Sequence, residues 1–284
     1  MSQHPAFSSN KVAVITGAAD GIGAAAAEQF ARFGMNVVMA DIESEKLEAA
    51  ASRVKSTAGS NDAAIVCRTV DVSKFDEVCE LRDHAMSLYG RVDVLMNNAG
   101  TSQKTTSWGE LDHWRHLIGV NMWGIIHGIQ AFAETMIEQR SPALMINTGS
   151  KQGITNPPGN PAYNVSKAGV KAATESLQHA LRNTEDCQLS AHLLVPGFTY
   201  TGLIKRFVSE KPDGAWQPEE VVDYMLAAID RGSFYIICPD NEVSSVEDSR
   251  RIIWGAGDLA YDRPPLLRWD QDFDEAFRAF SLDD

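Results

Sequence analysis

Along this chain, short β-branched apolar runs alternate with longer segments whose apolar positions recur every three to four residues. That is the rhythm of parallel strands joined by crossover helices. It predicts strands over 12–16, 36–40, 64–70, 92–96, 143–148, 189–195 and 234–238, and helices over 22–33, 44–55, 74–88, 111–139 and 162–183. The first strand–helix–strand unit closes within about 30 residues, as such units do. No repeat, low-complexity tract or Gly/Ser linker interrupts the pattern. The expectation is an α/β, doubly wound, Rossmann-like three-layer sandwich with a mainly parallel sheet of about seven strands. It would span residues 1–240, with 1–10 as a polar arm. Residues 241–284 differ: Trp254, Tyr261, Trp269, Phe273, Phe277 and Phe280 stand among many acids. So aromatic a segment is expected to pack on the body or on a neighbouring subunit.

Composition narrows the function classes. The 284 residues are 44% hydrophobic and 22% charged, ordinary for a globular chain with a large core. A formal net charge of −13 opposes binding to nucleic acid or anionic membrane, since either polyanion is repelled by the summed field. Cys67, Cys79, Cys187 and Cys238 form no CxxC pair, so neither a metal site nor a disulfide framework is expected. The opening residues lack a basic segment followed by an apolar one, and no apolar run reaches about 18 residues. A cytoplasmic protein is expected.

Between the first predicted strand and helix lies Thr16-Gly17-Ala-Ala-Asp20-Gly21-Ile22-Gly23. Missing β-carbons there let a backbone turn approach a pyrophosphate, and the helix N-terminus favours its charge. Asp41 ends the second strand, where a carboxylate can accept hydrogen bonds from both adenosine ribose hydroxyls, with Ile42 beside it. The same carboxylate repels a 2′-phosphate, so NAD is favoured over NADP.

With these residues the sequence resembles the short-chain dehydrogenases/reductases, in their single-domain subgroup, whose turn reads TGxxxGxG. The resemblance extends to Asp71-Val72, which it implies hold the adenine, and to Asn97-Asn98-Ala99-Gly100, implied to floor the nicotinamide ribose site. It also covers Pro196-Gly197 and Thr201, whose backbone and hydroxyl would meet the nicotinamide carboxamide.

Tyr163 and Lys167 are four apart in a predicted helix and project from one face. A phenol loses its proton near pH 10; a nearby ammonium and a positive nicotinamide would favour phenolate and bring it toward neutral pH. Ser150 lies just past a strand, at the carboxyl edge of the sheet where ligands bind in such folds. The family uses Asn, Ser, Tyr and Lys in this order. The resemblance therefore implies Tyr163 as general acid/base, Ser150 as the partner of the substrate oxygen, Lys167 as the grip on the nicotinamide ribose, and Asn121 as the holder of a water joining Lys167 to solvent.

The substrate is expected between Lys151 and Asn160 and along 198–216, a lid in the family, with Gln152, Phe198 and Ile204 as contacts. Ile204, Phe207, Val208 and Trp216 suit a hydrophobic or aromatic alcohol or ketone, although packing on the body would use the same residues. Lys205, Arg206 and Lys211 could instead recruit an acid, and the sequence leaves this open. The segment from Phe234 onward faintly resembles extended bacterial members acting on bulky ring-bearing alcohols. Homodimers or homotetramers are implied by the family. Three rivals stand beside an NAD-dependent alcohol dehydrogenase: a non-catalytic NAD-binding scaffold, an NADP-dependent carbonyl reductase, and a sugar-nucleotide epimerase. The last needs a larger C-terminal domain than this chain has.

Overall fold

The computed structural model describes residues 4–58, 63–206 and 208–282. Seven strands form one parallel sheet: β1 (Val12–Thr16), β2 (Asn36–Asp41), β3 (Ile65–Thr69), β4 (Val94–Asn97), β5 (Ala143–Thr148), β6 (Leu189–Val195) and β7 (Tyr235–Ile237). Their spatial order is β3-β2-β1-β4-β5-β6-β7, and every neighbouring pair is parallel. The order reverses direction between β1 and β4, which opens a crevice beyond their carboxyl ends.

Helices α1 (Gly21–Arg32), α2 (Ser44–Ala58), α3 (Phe75–Tyr89), α4 (Leu111–Ile118), α5 (Gly124–Glu138), α6 (Gln152–Thr155), α7 (Pro161–Arg182), α8 (Gly202–Lys205), α9 (Pro218–Asp230), α10 (Ser245–Ala260) and α11 (Asp274–Ala279) complete the described chain. The pleat sorts the core into two halves. Ala13 and Ile15 of β1 pack with Phe30 and Val54 and with Val221 and Met225 of α9. Val14, between them, faces Leu81, Phe132 and Val170 on the opposite side. Because both faces of a parallel sheet are covered, all five β1 residues are buried, which is why its sequence runs apolar without alternation.

Two expectations are corrected. The helix predicted over 111–139 is divided by a π turn, Gly119–Trp123, in which Gly124 N–H reaches back to Gly119 C=O. Apolar periodicity cannot detect one extra residue per turn, and Asn121 sits inside it. The strand predicted over 234–238 is shorter, Tyr235–Ile237, with Phe234 C=O and Cys238 N–H bonded to β6 at its two ends, each at 2.9 Å. Helix α9 was not anticipated, although Pro218 at its first turn and Glu220 in a capping box with Gln217 mark its start.

Arginines organise the residues after β7. Arg250 donates to the carbonyls of Phe277 (2.7 Å) and Phe280 (3.0 Å), tying α10 to α11, and its guanidinium lies 5.0 Å from the Phe277 ring centroid. Arg263 donates to Trp254 C=O at 2.8 Å and pairs with Asp258 at 2.8 Å.

Candidate active site

The crevice is a cleft of about 770 Å³. Of the residues expected to hold the cofactor or act in catalysis, Gly23, Asn97 and Asn121 do not line it and the others do; of those expected on the substrate side, Val208, Lys211 and Trp216 do not. Gln152, Phe198 and Ile204, expected at the substrate, do line it. Phe207 lies outside the described residues.

The glycine turn is shaped from behind. Gly17 has φ +66°, and a β-carbon there would come within 2.7 Å of Ala99 Cα. Gly21 has φ +57°, with Thr201 Cγ2 2.9 Å from the same imaginary atom. At Gly23 a β-carbon would strike the Gly17 carbonyl. Glycine is therefore required at Gly17 and Gly21 by backbone conformation and by close approach together. Asp20 caps α1 by accepting from Gly21 N–H at 2.6 Å. A turn lined by bare backbone at a helix N-terminus, inside a cleft of this size, fits a dinucleotide pyrophosphate.

Asn98 and Thr16 fix this turn. Asn98 Nδ2 donates to the carbonyls of Thr16 (3.1 Å) and Gly17 (3.2 Å). Thr16 Oγ1 accepts from the N–H groups of Asn98 (3.0 Å) and Ala99 (3.2 Å). The end of β1 and the end of β4 are thus stitched together across the switch point. Sequence reasoning placed Asn98 on the cleft floor and missed this tie, because its partners lie more than 80 positions away.

At the ribose end, Asp41 Oδ2 accepts from Ala19 N–H (3.0 Å) and Oδ1 from Glu43 N–H (3.1 Å). Its carboxylate is thereby held between the glycine turn and α2. Glu43 and Lys46 share this rim and pair with each other. Asp71 accepts from Ser73 N–H (3.0 Å) and Oγ (2.6 Å), with Lys74 beside it; these interactions hold its carboxyl below the usual range although burial pushes the other way.

At the other end, Tyr163 and Lys167 share one face of α7. The Lys167 ammonium lies 5.8 Å from the Tyr163 ring centroid and donates to Thr148 C=O at 2.9 Å. Burial without a carboxylate partner lowers its pKa from 10.5 to about 8. Burial likewise raises the Tyr163 phenol, and the neighbouring Ser150 hydroxyl acts in the opposite direction. In the chain by itself the phenol thus moves up. Ser150 Oγ also accepts from Gln152 N–H at 3.2 Å, which fixes the turn after β5.

Asn121 stands behind the cleft. Its Oδ1 accepts from Thr101 N–H (2.7 Å), and Nδ2 donates to Thr101 C=O (2.9 Å) and Ser166 Oγ (3.3 Å). The side chain thus pins the loop that follows Gly100. Asn121 Oδ1 and Lys167 Nζ flank Gly100, at 3.5 and 3.8 Å from the place a β-carbon would take.

On the substrate side, Phe198 N–H donates to Asp240 Oδ2 at 3.0 Å. Lys205, on α8, lies 3.8 Å from Asp20 and over the Tyr200 ring at 5.3 Å. Lys211 turns away to the carbonyls of Ala215 (2.6 Å) and Pro212 (3.3 Å). Among the described residues no cluster of three or more His, Cys, Asp or Glu could hold a metal ion, and no helix is long and apolar enough to cross a membrane.

Comparison with known proteins agrees with this geometry. A reductase of Thermotoga maritima, 3-oxoacyl-(acyl-carrier-protein) reductase FabG, is 31% identical over 236 residues, 80% of this chain and 93% of its own. The 1-deoxy-11-beta-hydroxypentalenate dehydrogenase of Streptomyces exfoliatus is 29% identical over 265 residues, 91% of this chain and 94% of its own. A short chain dehydrogenase/reductase from Burkholderia phymatum, solved in complex with NAD, superposes with a TM-score of 0.81 at 30% identity, covering 90% of this chain and 96% of that one. The family model for short chain dehydrogenases matches residues 11–212, from the first strand through the glycine turn, the Ser150–Tyr163–Lys167 constellation and the loop after β6. The chain belongs to the short-chain dehydrogenase/reductase family of oxidoreductases.

Proposed function

We propose that this oxidoreductase uses NAD to interconvert a secondary alcohol and its ketone, with Tyr163 as general acid/base and a hydrophobic or aromatic substrate. One observation carries the reading: Ser150, Tyr163 and Lys167 converge in the cleft that the glycine turn and Asp41 enter from its other end.

The cofactor supplies or removes the hydride; the chain handles the proton. Burial keeps the Tyr163 phenol protonated at neutral pH, so it can give that proton to a carbonyl oxygen as hydride arrives, and it takes one back in the reverse direction. The Ser150 hydroxyl, beside the phenol, would hydrogen-bond the same substrate oxygen and orient it. Lys167, anchored on Thr148 C=O, would hold the nicotinamide ribose with its ammonium. Gly17, Gly21 and Gly23 leave backbone to meet the pyrophosphate, with Ile22 and Asp20 at the start of α1. Asp71 and Val72 would border the adenine, and Pro196, Gly197 and Thr201 the nicotinamide. Asn121 would act through the loop it pins.

The preference for NAD rests on Asp41. A 2′-phosphate would meet the Asp41 and Glu43 carboxylates, and Lys46, the cation at that rim, is engaged by Glu43. Substrate character is inferred from Phe198 and Ile204 on the cleft wall; of the three basic residues nearby, Lys211 turns away, while Lys205, beside Asp20, and Arg206 line the cleft. A homodimer or homotetramer in the cytoplasm completes the proposal.

The test has two arms. Separate titrations should show tighter binding of NADH than of NADPH, and the reverse order would remove the role given to Asp41. A panel of aliphatic, steroidal, sugar and aromatic alcohols, followed at the nicotinamide absorbance, should reveal turnover that Tyr163→Phe lowers by about 10²–10⁴-fold.

A further inference from the structure

The residue after the catalytic serine carries a buried charge that no step above uses. Lys151 is held by two aspartates: its ammonium lies 2.8 Å from Asp248 Oδ2 and 3.3 Å from Asp240 Oδ2, with side chains only 15%, 5% and 4% exposed in that order. Each acid comes from a different structure. Asp240 follows β7 and accepts from Phe198 N–H at 3.0 Å, and from Val243 and Glu242 N–H at 2.7 and 3.0 Å. Its carboxylate fills the place a β-carbon on Gly197 would need, 2.6 Å away. Asp248 belongs to the first turn of α10. A second peg grips the far end of α6: Trp269 Nε1 donates to Thr155 C=O at 3.2 Å.

We propose that Asp248 and Lys151 are positioning residues, through which α10 sets the Ser150–Gln152 turn and, by way of Asp240, aligns it with the loop at Gly197 and Phe198. This rests on the catalytic reading of Ser150 and Tyr163. One ammonium thus joins the Ser150–Gln152 turn, which lines the cleft, to the segment after β7 and to α10. Removing one partner of a buried ion cluster leaves the others uncompensated, so the turn should lose its fixed position rather than merely a surface contact. A serine hydroxyl acts on a reacting oxygen only within narrow limits of distance and angle. The loss therefore belongs in kcat more than in cofactor affinity.

Lys151→Met, Asp248→Ala, Asp248→Asn and the Lys151→Met/Asp248→Ala double variant test this with Tyr163→Phe beside them. With an alcohol from the panel, Lys151→Met and Asp248→Ala should lower kcat about tenfold or more while NADH affinity and binding stoichiometry stay within about twofold. The double variant should be no worse than the poorer single one. Asp248→Asn, which keeps an oxygen for the ammonium, should recover part of kcat. Independently of any substrate, backbone hydrogen exchange over 150–155 should quicken in Lys151→Met and Asp248→Ala and stay unchanged over 22–32. Unchanged kcat and exchange, additive single effects, or a parallel loss of NADH binding stoichiometry would each overturn the proposal. Turnover that survives Tyr163→Phe would overturn the catalytic reading and the proposal together. A dead Tyr163→Phe beside fully active Lys151 and Asp248 variants would overturn the proposal alone.

Discussion

Replacing Lys167 by methionine should stabilise the cofactor-free protein at neutral pH while ending its catalysis. The residue is 4% exposed, and the fall of its pKa from the ordinary 10.5 to about 8 corresponds to about 3 kcal/mol of folding free energy lost when it is charged. Because the folded pKa is the lower one, the unfolded chain binds the proton more tightly. The penalty is therefore complete below about pH 8 and is relieved as pH rises toward 10.5. Methionine has a similar length and no charge, so it removes the penalty. It also strands Thr148 C=O, whose hydrogen bond from Nζ is 2.9 Å long, at a cost of about 1–2 kcal/mol. The net expectation is a gain of about 1–2 kcal/mol at pH 7 that shrinks to nothing or reverses near pH 10. Urea unfolding of both proteins at the two pH values measures it. A variant less stable than wild type at pH 7, or a difference that does not change with pH, would refute the reasoning.

Gly17→Ala should lower stability by about 2–5 kcal/mol, combining a left-handed backbone with overpacking against Ala99, and should abolish NADH binding; denaturant titration and nicotinamide fluorescence check both. Asp93 is fully buried, accepts from Val12 N–H at 2.9 Å and pairs with Lys11 at 3.2 Å and with Arg91, so Asp93→Ala should cost about 3–5 kcal/mol in an unfolding titration. Since burial raises the Tyr163 phenol, alcohol oxidation should accelerate with rising pH while ketone reduction does not, and a flat oxidation profile from pH 7 to 10 would contradict that assignment. Gln152→Ala should reduce kcat/KM for the true substrate without weakening NADH binding, and an unchanged kcat/KM would remove Gln152 from the substrate site.

The succession of strands and helices and most residues lining the cleft could be read from local pattern. Strand runs that are apolar on both faces identify a covered parallel sheet, and Thr16–Gly23 and Tyr163–Lys167 each carry their meaning within eight residues. What escaped depends on distance in sequence or on counting. The Lys151 cluster joins residues 89 and 97 positions apart, and nothing near Lys151 distinguishes it from a solvated lysine. The π turn differs from an α turn by a single residue, which periodicity averages away. The direction of the Tyr163 shift depends on how much protein surrounds the phenol, a property of packing that spacing does not encode.

The stitching of Asn98 to the glycine turn bears on how a cofactor would be received. Two hydrogen bonds from Asn98 Nδ2 to the turn's carbonyls, and two that Thr16 Oγ1 accepts from the end of β4, hold the turn in place within the chain's own structure. A loop already confined in this way has little conformational freedom left to surrender when a dinucleotide settles on it. The free energy of those contacts can then appear as affinity, and a pyrophosphate would meet a finished mould. By the same reasoning, loosening the mould at Thr16 or Asn98 would weaken binding through entropy, although neither side chain need ever touch the pyrophosphate.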